Sequence, residues 1–273
     1  MKYQTHRRRN IAQRKFVSFR HPVLKRVYDP TVHLRAETLH TWTLANGDTI
    51  GVQRIATADV LSGLAAAARD PVLQIGSRAE VLDRAQTWRG RFAGRRFVGL
   101  DMAAGPNVDV VADITEPAAT IRERAGVDGF GLIVCHHVLE HVRTPWVAAE
   151  TIAELLAPGG FLFVTVPWVQ GYHEFPDDFW RMSFAGIRAL FPGLAFPLEY
   201  YTGTREEFGY QIMRNGKVEH SPATSRIERN LFQFVLDQIP AQRMFDDRAG
   251  DKIQMSRAYM PVCVVSAVGV KRG

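Results

Sequence analysis

The run "DPVLQIGSRAEVLDRA", Asp70 to Ala85, marks the change of rhythm that organises the chain. Val72, Leu73 and Ile75 make a short apolar run, as expected of a strand buried on both faces. Gly76 ends it with a residue free to take a positive φ. From Ala79 onward, Val81, Leu82 and Ala85 recur at helical spacing. Strand, glycine turn and helix in this order predict an α/β unit whose turn can cradle a nucleotide-like ligand. The further glycines common in such a loop are missing, and Ser77, Arg78 and Glu80 stand in their region.

Outward from this run the same rhythm repeats. Strands are expected at Val72–Gly76, Phe97–Met102, Val108–Ile114, Leu132–His136 and Gly160–Pro167. Helices are expected at Glu80–Arg89, Pro117–Ala125 and Pro145–Leu156, the last stopped by Pro158-Gly159-Gly160. Near-continuous apolar strands separated by amphipathic helices predict a parallel sheet covered on both faces. The segment "AAGPN" between the second and third strands is too short for a crossover helix. That crossover is therefore either a compact loop or a misread strand. Before Asp70, "TWTLANGDTIGV" predicts a hairpin around Asn46-Gly47, and "ADVLSGLAAAARD" a helix. After Pro167 the pattern loosens: "SFAGIRALFP" reads as a small helix, "FPLEYYTG" as a strand, "IERNLFQFVLDQI" as an amphipathic helix and "PVCVVSAVGVKRG" as a closing strand. Residues 1–69 are thus expected to be a basic extension with a hairpin and helix, and 70–273 the main domain with an insertion at about 168–258.

Composition narrows the function classes. The chain has 273 residues, 46% hydrophobic and 23% charged, which suits a globular domain with a sizeable core. No apolar run is long enough to suggest a membrane span. The basic N-terminus has no apolar segment behind it, so no secretory signal is expected. Cys135 and Cys263 both lie in strand-like runs and are expected as buried thiols in a cytoplasmic protein. Much of the net charge of +6 sits in Lys2, Arg7, Arg8, Arg9, Arg14, Lys15, Arg20, Lys25 and Arg26. With few aromatics to stack bases, this segment reads as a solvated basic tail in preference to a nucleic-acid arm.

In an open parallel sheet, ligands bind beyond the carboxyl ends of the strands. Those ends carry Gly76, Ser77 and Arg78 after the first strand, Asp101-Met102 after the second and Asp113-Ile114 after the third. His136-His137 follow the fourth, and Pro167-Trp168 the fifth. Two carboxylates at neighbouring strand ends exceed what a purely structural sheet needs, although aspartate is also common in turns.

The segments "VLQIGSR", "FVGLDMAAGPNVDVVADI", "LIVCHHVLEHV", "ELLAPGGFLFVTVPW" and "YHEFPDDFWRMSFAGIRALF", in this order, closely resemble the class I S-adenosylmethionine-dependent methyltransferases. The nearest branch carries a "VLEHV" segment and a His-x-x-Pro-x-Asp-x-Trp-Arg segment. The resemblance covers roughly residues 70–192 and the final strand. It implies a Rossmann-like α/β sheet with a reversed final strand, S-adenosyl-L-methionine as cofactor, and methyl transfer to a small-molecule or glycan-like acceptor. It further implies that Asp101 grips the ribose diol, Met102 lies against the adenine, and Asp113 with the Ile114 backbone reads the adenine edge. Gly76 would admit the methionine portion, with Ser77 beside it and His136 close to the cofactor's carboxylate and methyl. The family's acidic residue and glycine run are absent here: Gln74 stands for the first, Ser77 and Arg78 for the second. Arg78 offers a fixed charge for the cofactor's carboxylate.

The methyl donor is already activated, so the protein must chiefly align it with the acceptor, and a base is needed only for a weak nucleophile. The candidates on the acceptor side are His173 and Asp178, with Arg181 in the same segment. They alternatively form a cluster that pins the loop. His141 is expected to make a local hydrogen bond. No Cys-x-x-Cys or His-Glu-x-x-His spacing occurs, so no metal site is expected. Two competing readings remain at this level: a non-catalytic module whose altered loop no longer holds cofactor, and a nicotinamide-dependent oxidoreductase. The latter lacks the Gly-x-Gly-x-x-Gly pattern.

Overall fold

The structure, a computed structural model, describes residues 14–17, 34–44, 46–78, 88–173, 177–203, 207–219 and 263–272. In chain order the strands are β1 (Arg14–Val17), β2 (Leu34–Thr43), β3 (Thr49–Ala56), β4 (Val72–Ile75), β5 (Phe97–Asp101) and β6 (Val110–Val111). They continue with β7 (Phe130–His136), β8 (Leu156–Val169), β9 (Leu194–Thr202), β10 (Phe208–Arg214), β11 (Lys217–Val218) and β12 (Cys263–Lys271). The helices are α1 (Thr57–Ala67), α2 (Trp88–Arg91), α3 (Ala118–Ala125), α4 (Pro145–Leu155) and α5 (Phe184–Leu190).

All strands join one sheet in the order β1-β2-β3-β10-β9-β12-β8-β7-β4-β5-β6, with β11 paired to β10. The block β8-β7-β4-β5-β6 is parallel. β12 runs antiparallel between β8 and β9, so the expected reversed final strand is present. The hairpin β2–β3 turns at Gly47, whose φ is +86°, and extends the sheet through antiparallel pairing of β3 with β10. The chain passes from β4 to β5 on one side and later to β7 on the other. The order therefore reverses between β4 and β7, the point where this architecture opens a crevice.

Alternation along the strands explains why both faces are covered. Ile133 and Cys135 of β7 and Leu162, Val164 and Val166 of β8 pack with α3, α4 and α5 through Ile121, Ile152 and Ile187. Their neighbours Leu132, Val134, Phe161 and Phe163 face the other way, onto Val60, Leu61 and Leu64 of α1 and onto Phe92. The continuous apolar runs read as strands are thus two interleaved faces of one sheet. Cys135 and Cys263 are free and buried, and burial pushes both thiols up, Cys263 to about 12. No helix among the described residues is long and apolar enough to cross a membrane.

Three sequence expectations change. The third strand shrinks from Val108–Ile114 to Val110–Val111, because Asp113 and Ile114 are used in a turn and Asn107 takes a left-handed φ of 69°. The short crossover is accordingly a compact loop. Pro158-Gly159-Gly160 does not cap α4: that helix ends at Leu155, Leu156 is already extended, and the three residues lie in the irregular start of β8. The last carbonyls of the α4 region are served from afar, since Lys271 Nζ donates to Ala153 O at 2.8 Å and Leu156 O at 2.7 Å. Finally, the helix expected over Glu80–Arg89 and the one in "IERNLFQFVLDQI" lie largely or wholly outside the described residues. The small helix α5 does form, capped by Ser183 Oγ, which accepts from Gly186 N–H.

Replacing Lys271 with Met keeps the aliphatic stem but strands two carbonyls. Urea denaturation of Lys271→Met should show a loss of about 1–3 kcal/mol, the usual cost of leaving buried polar groups unpaired.

Candidate functional site

At the switch point, three loops are knitted by a polar set that begins at Gly76. Gly76 has a φ of +69°, and a Cβ added there would meet Val138 Cγ2 at 2.7 Å, so glycine is required on both counts. Gln74, in the position of the family's acidic residue, donates from Nε2 to Gly76 O at 3.4 Å and accepts from Asn107 Nδ2 at 3.3 Å. Asn107 also donates to Ser77 O at 2.9 Å and accepts from Arg89 Nε at 2.6 Å. Gln74 stood out in the sequence only as a departure from the family's acidic residue, and Asn107 not at all. Their role depends on two loops meeting, and only a left-handed-prone Asn in a short crossover hinted at it.

Asp101 is at the end of β5. Its Oδ2 accepts from Arg78 N–H and its Oδ1 from Ala103 N–H, each at 3.1 Å. Each oxygen keeps lone-pair capacity for a further donor. Met102 beside it is 62% exposed. Asp113 is exposed and forms an Asx turn, its Oδ1 accepting from both the N–H and the hydroxyl of Thr115 at 2.8 Å. Ile114 buries its side chain in the core, and its N–H takes no part in that turn.

Several expected contacts are corrected by this geometry. Ser77 is 1% exposed, with its hydroxyl close to Gly99 and without a hydrogen-bond partner, so it faces into the sheet and not into the crevice. The Arg78 chain runs along Gly105 of the loop after β5, on the Asp101 side. A reach toward the far end of a methionine-like ligand is not its course here. His136 turns its ring against Trp88 at 5.2 Å, because β7 alternation puts it on the α1–α2 face of the sheet.

The second part of the site joins two turns. A single 3₁₀ turn, Leu139–His141, follows β7, and the segment 177–181 docks onto it. Glu140 O accepts from Phe179 N–H at 2.8 Å and Trp180 N–H at 3.3 Å. His141 Nδ1 lies 2.6 Å from Asp177 O, and Trp180 Nε1 donates to Val142 O at 2.9 Å. The "VLEHV" and "DDFWR" segments are therefore two halves of one clasp closed on backbone carbonyls. Val138 connects that clasp to Gly76 and so to the Asp101 loop.

Within the clasp, Glu140 and Asp178 have side chains with no exposure. Arg181 holds Asp178 with two bonds of 2.5 Å and donates as well to Gln170 O, Trp180 O and Gly171 O. The guanidinium brings the Asp178 carboxyl down to about 2 against the cost of burial. Asp178, expected to take part in chemistry, is thus an anchor. It accepts from His173 N–H at 2.9 Å, and its Oδ2 is 3.2 Å from His173 Nδ1 at an angle that makes no hydrogen bond. His173 packs edge-on to His141 with ring centroids 5.0 Å apart. His137, at a left-handed φ of 52°, places Nδ1 3.1 Å from Glu140 Oε1.

An open groove of about 870 Å³ lies at the opposite, amino-terminal end of the parallel strands, around Asp70, Arg96 and Lys271. It is on the wrong edge for a switch-point ligand and carries none of the residues above.

Comparison with known proteins fits this architecture. The profile described as "Methyltransferase domain" matches residues 57–211, more than half of the chain, and the protein belongs to that family. No curated protein matches. Among solved structures, the N-methyltransferase NodS from Bradyrhizobium japonicum WM9, in complex with S-adenosyl-L-homocysteine, shares 17% identity over 59% of this chain and 86% of its own, with a TM-score of 0.40. A SAM-dependent methyltransferase from Archaeoglobus fulgidus shares 12% over 73% of this chain and 85% of its own, with a TM-score of 0.40.

The anchor can be tested by stability. Asp178→Asn should lower it by about 2–3 kcal/mol, as for loss of charged hydrogen bonds. Because the folded carboxyl lies below its unfolded value, the Asp178 contribution is complete above about pH 4 and fades as pH falls toward 2. Acid unfolding of the Asn variant should lack that component.

Proposed function

We propose that the protein is an S-adenosylmethionine-dependent methyltransferase of the branch marked by the VLEHV and His-x-x-Pro-x-Asp-x-Trp-Arg segments, acting on a small-molecule or glycan-like acceptor. The observation that carries this reading is Asp101, a carboxylate at the end of β5 beside the positive-φ Gly76 at the end of β4, in a chain of the methyltransferase domain family.

The residues at the switch point fit the cofactor. Each Asp101 oxygen already takes one backbone N–H and can still accept from one hydroxyl of a vicinal diol. Gly76 leaves backbone where any side chain would collide with Val138. Exposed Met102 supplies a polarizable face for a purine, while the Ile114 N–H and the remaining Asp113 oxygen can read its edge. Arg78 supports this end through its stem and its charge. His136 stands at the end of β7, where the cofactor's reactive end would approach.

When bound, S-adenosylmethionine supplies a methyl on a sulfonium sulfur, which keeps the carbon–sulfur electron pair as the acceptor's lone pair forms the new bond. The chain's own work is alignment. The clasp holds His173 at the acceptor side, and Asp178 positions it without carrying a proton itself. The two buried thiols fit a reducing cytoplasmic setting.

Isothermal titration with S-adenosylmethionine and S-adenosylhomocysteine tests the reading. Binding in the wild type should weaken by about 1–3 kcal/mol in Asp101→Ala, the range for a charged hydrogen-bond partner. Thermal unfolding of Asp101→Ala and of Asp101→Asn, which keeps one of the two acceptor oxygens, separates loss of the ligand contact from loss of the loop. Absence of binding at millimolar cofactor would instead favour a non-catalytic module. Gly76→Ala should abolish cofactor binding in a protein that still unfolds cooperatively on heating.

A further inference from the structure

We infer that Glu140, His141 and His173 form a site for one divalent transition-metal cation at the clasp. One carboxylate oxygen and one ring nitrogen from each histidine lie within 4.8 Å of one another. A cation with nitrogen and oxygen ligands at about 2.0–2.2 Å would need only a small further approach of these atoms.

Glu140 gives the first reason to read more than a chance gathering. Its side chain has no exposure, Oε1 faces His137 Nδ1 at 3.1 Å, and Oε2 is buried with no hydrogen-bond partner. A buried carboxylate oxygen without a donor is among the costliest groups a fold can hold, and a cation removes that cost.

His141 gives the second. Its Nδ1 is 2.6 Å from Asp177 O, a carbonyl that can only accept, so that nitrogen carries the proton. Nε2 is left with its lone pair and lies 4.0 Å from Glu140 Oε1. With that nitrogen unprotonated, an acceptor of His141 faces the Glu140 carboxylate, whose Oε2 has no donor. A positive ion between them resolves the opposition, and the backbone bond on the far nitrogen is the support that metal-bound histidines ordinarily have.

The third ligand is mounted in the same manner. His173 is held beside Asp178 through its backbone N–H, and Asp178 is locked by Arg181. The side chains of His141 and His173 are 15% and 33% exposed, so the cluster opens toward solvent on one side. Two imidazoles and one carboxylate with an open side suit zinc, manganese or their first-row neighbours better than magnesium or calcium. For its use, the inference rests on the methyltransferase reading: an acceptor oxygen would complete the coordination sphere. Binding of the cation itself does not depend on that reading.

The full chain, stripped with a chelator, is titrated calorimetrically with zinc or manganese chloride alone, and its metal content is measured. The expected result is one equivalent per chain, with affinity reduced at least tenfold in His141→Ala, His173→Ala and Glu140→Gln. Glu140 is fully buried, so its variant risks unfolding. His173→Ala, at the partly exposed edge, should keep the wild-type circular dichroism and is decisive. Absence of saturable binding in the wild type, or wild-type affinity in either histidine variant, overturns the site. S-adenosylhomocysteine affinity on the same samples separates the two readings. Metal binding without it leaves the cation site standing and sinks the methyltransferase reading; the reverse sinks the cation site alone.

Discussion

Two carboxylates withdrawn from water, Glu140 and Asp178, set the terms for the clasp beside the switch point. A buried charge must be answered where it sits, because it cannot borrow solvation. Asp178 is answered by Arg181, whose remaining donors reach three carbonyls of the surrounding loop. One ion pair thereby fixes the course of the chain after β8 and the direction of His173. Glu140 is answered on one oxygen only. That asymmetry distinguishes a loop built for rigidity from a cluster built to receive something.

The clasp also gives the two motifs a physical reason to occur together. Neither is a motif by itself: "VLEHV" supplies a 3₁₀ turn with carbonyls facing outward, and "DDFWR" supplies the N–H groups that meet them. The pairing closes one wall of the crevice. Val138, packed over Gly76, carries that wall to the ends of β4 and β5, so the clasp and the Asp101 loop share a single rim.

The loop after β4 shows how a departure from a family pattern is absorbed. Gln74 cannot supply a charge, yet as an amide it both donates and accepts, closing the loop through Gly76 and Asn107. Arg89 adds a second tie to Asn107. Packing and hydrogen bonds thus hold a loop in which a glycine run is missing. Gly76, whose positive φ and closeness to Val138 leave no place for a side chain, is glycine.

The reversal of the closing strand came only with the family resemblance. The alternating α/β rhythm, the hairpin and the strand-end aspartates were legible in the residues, because a two-residue or 3.6-residue period is a local property of the chain. So was the identity of His173 and Asp178 as members of one segment. The strand β6 was read too long because the turns at Asn107 and Asp113 interrupt an apolar run. The service of α4 by Lys271 and the inward turn of Ser77 were not legible, since each is decided by a partner far along the sequence. The same holds for the cluster of Glu140, His141 and His173. Metal-ligand spacing in sequence presumes one element, whereas here a turn after β7 and a loop after β8 converge. The sequence by itself determined which elements form and which face of each is apolar. Only the tertiary structure decided which charges are stripped of water together, because burial is a property of the assembled sheet and its loops and not of any one segment.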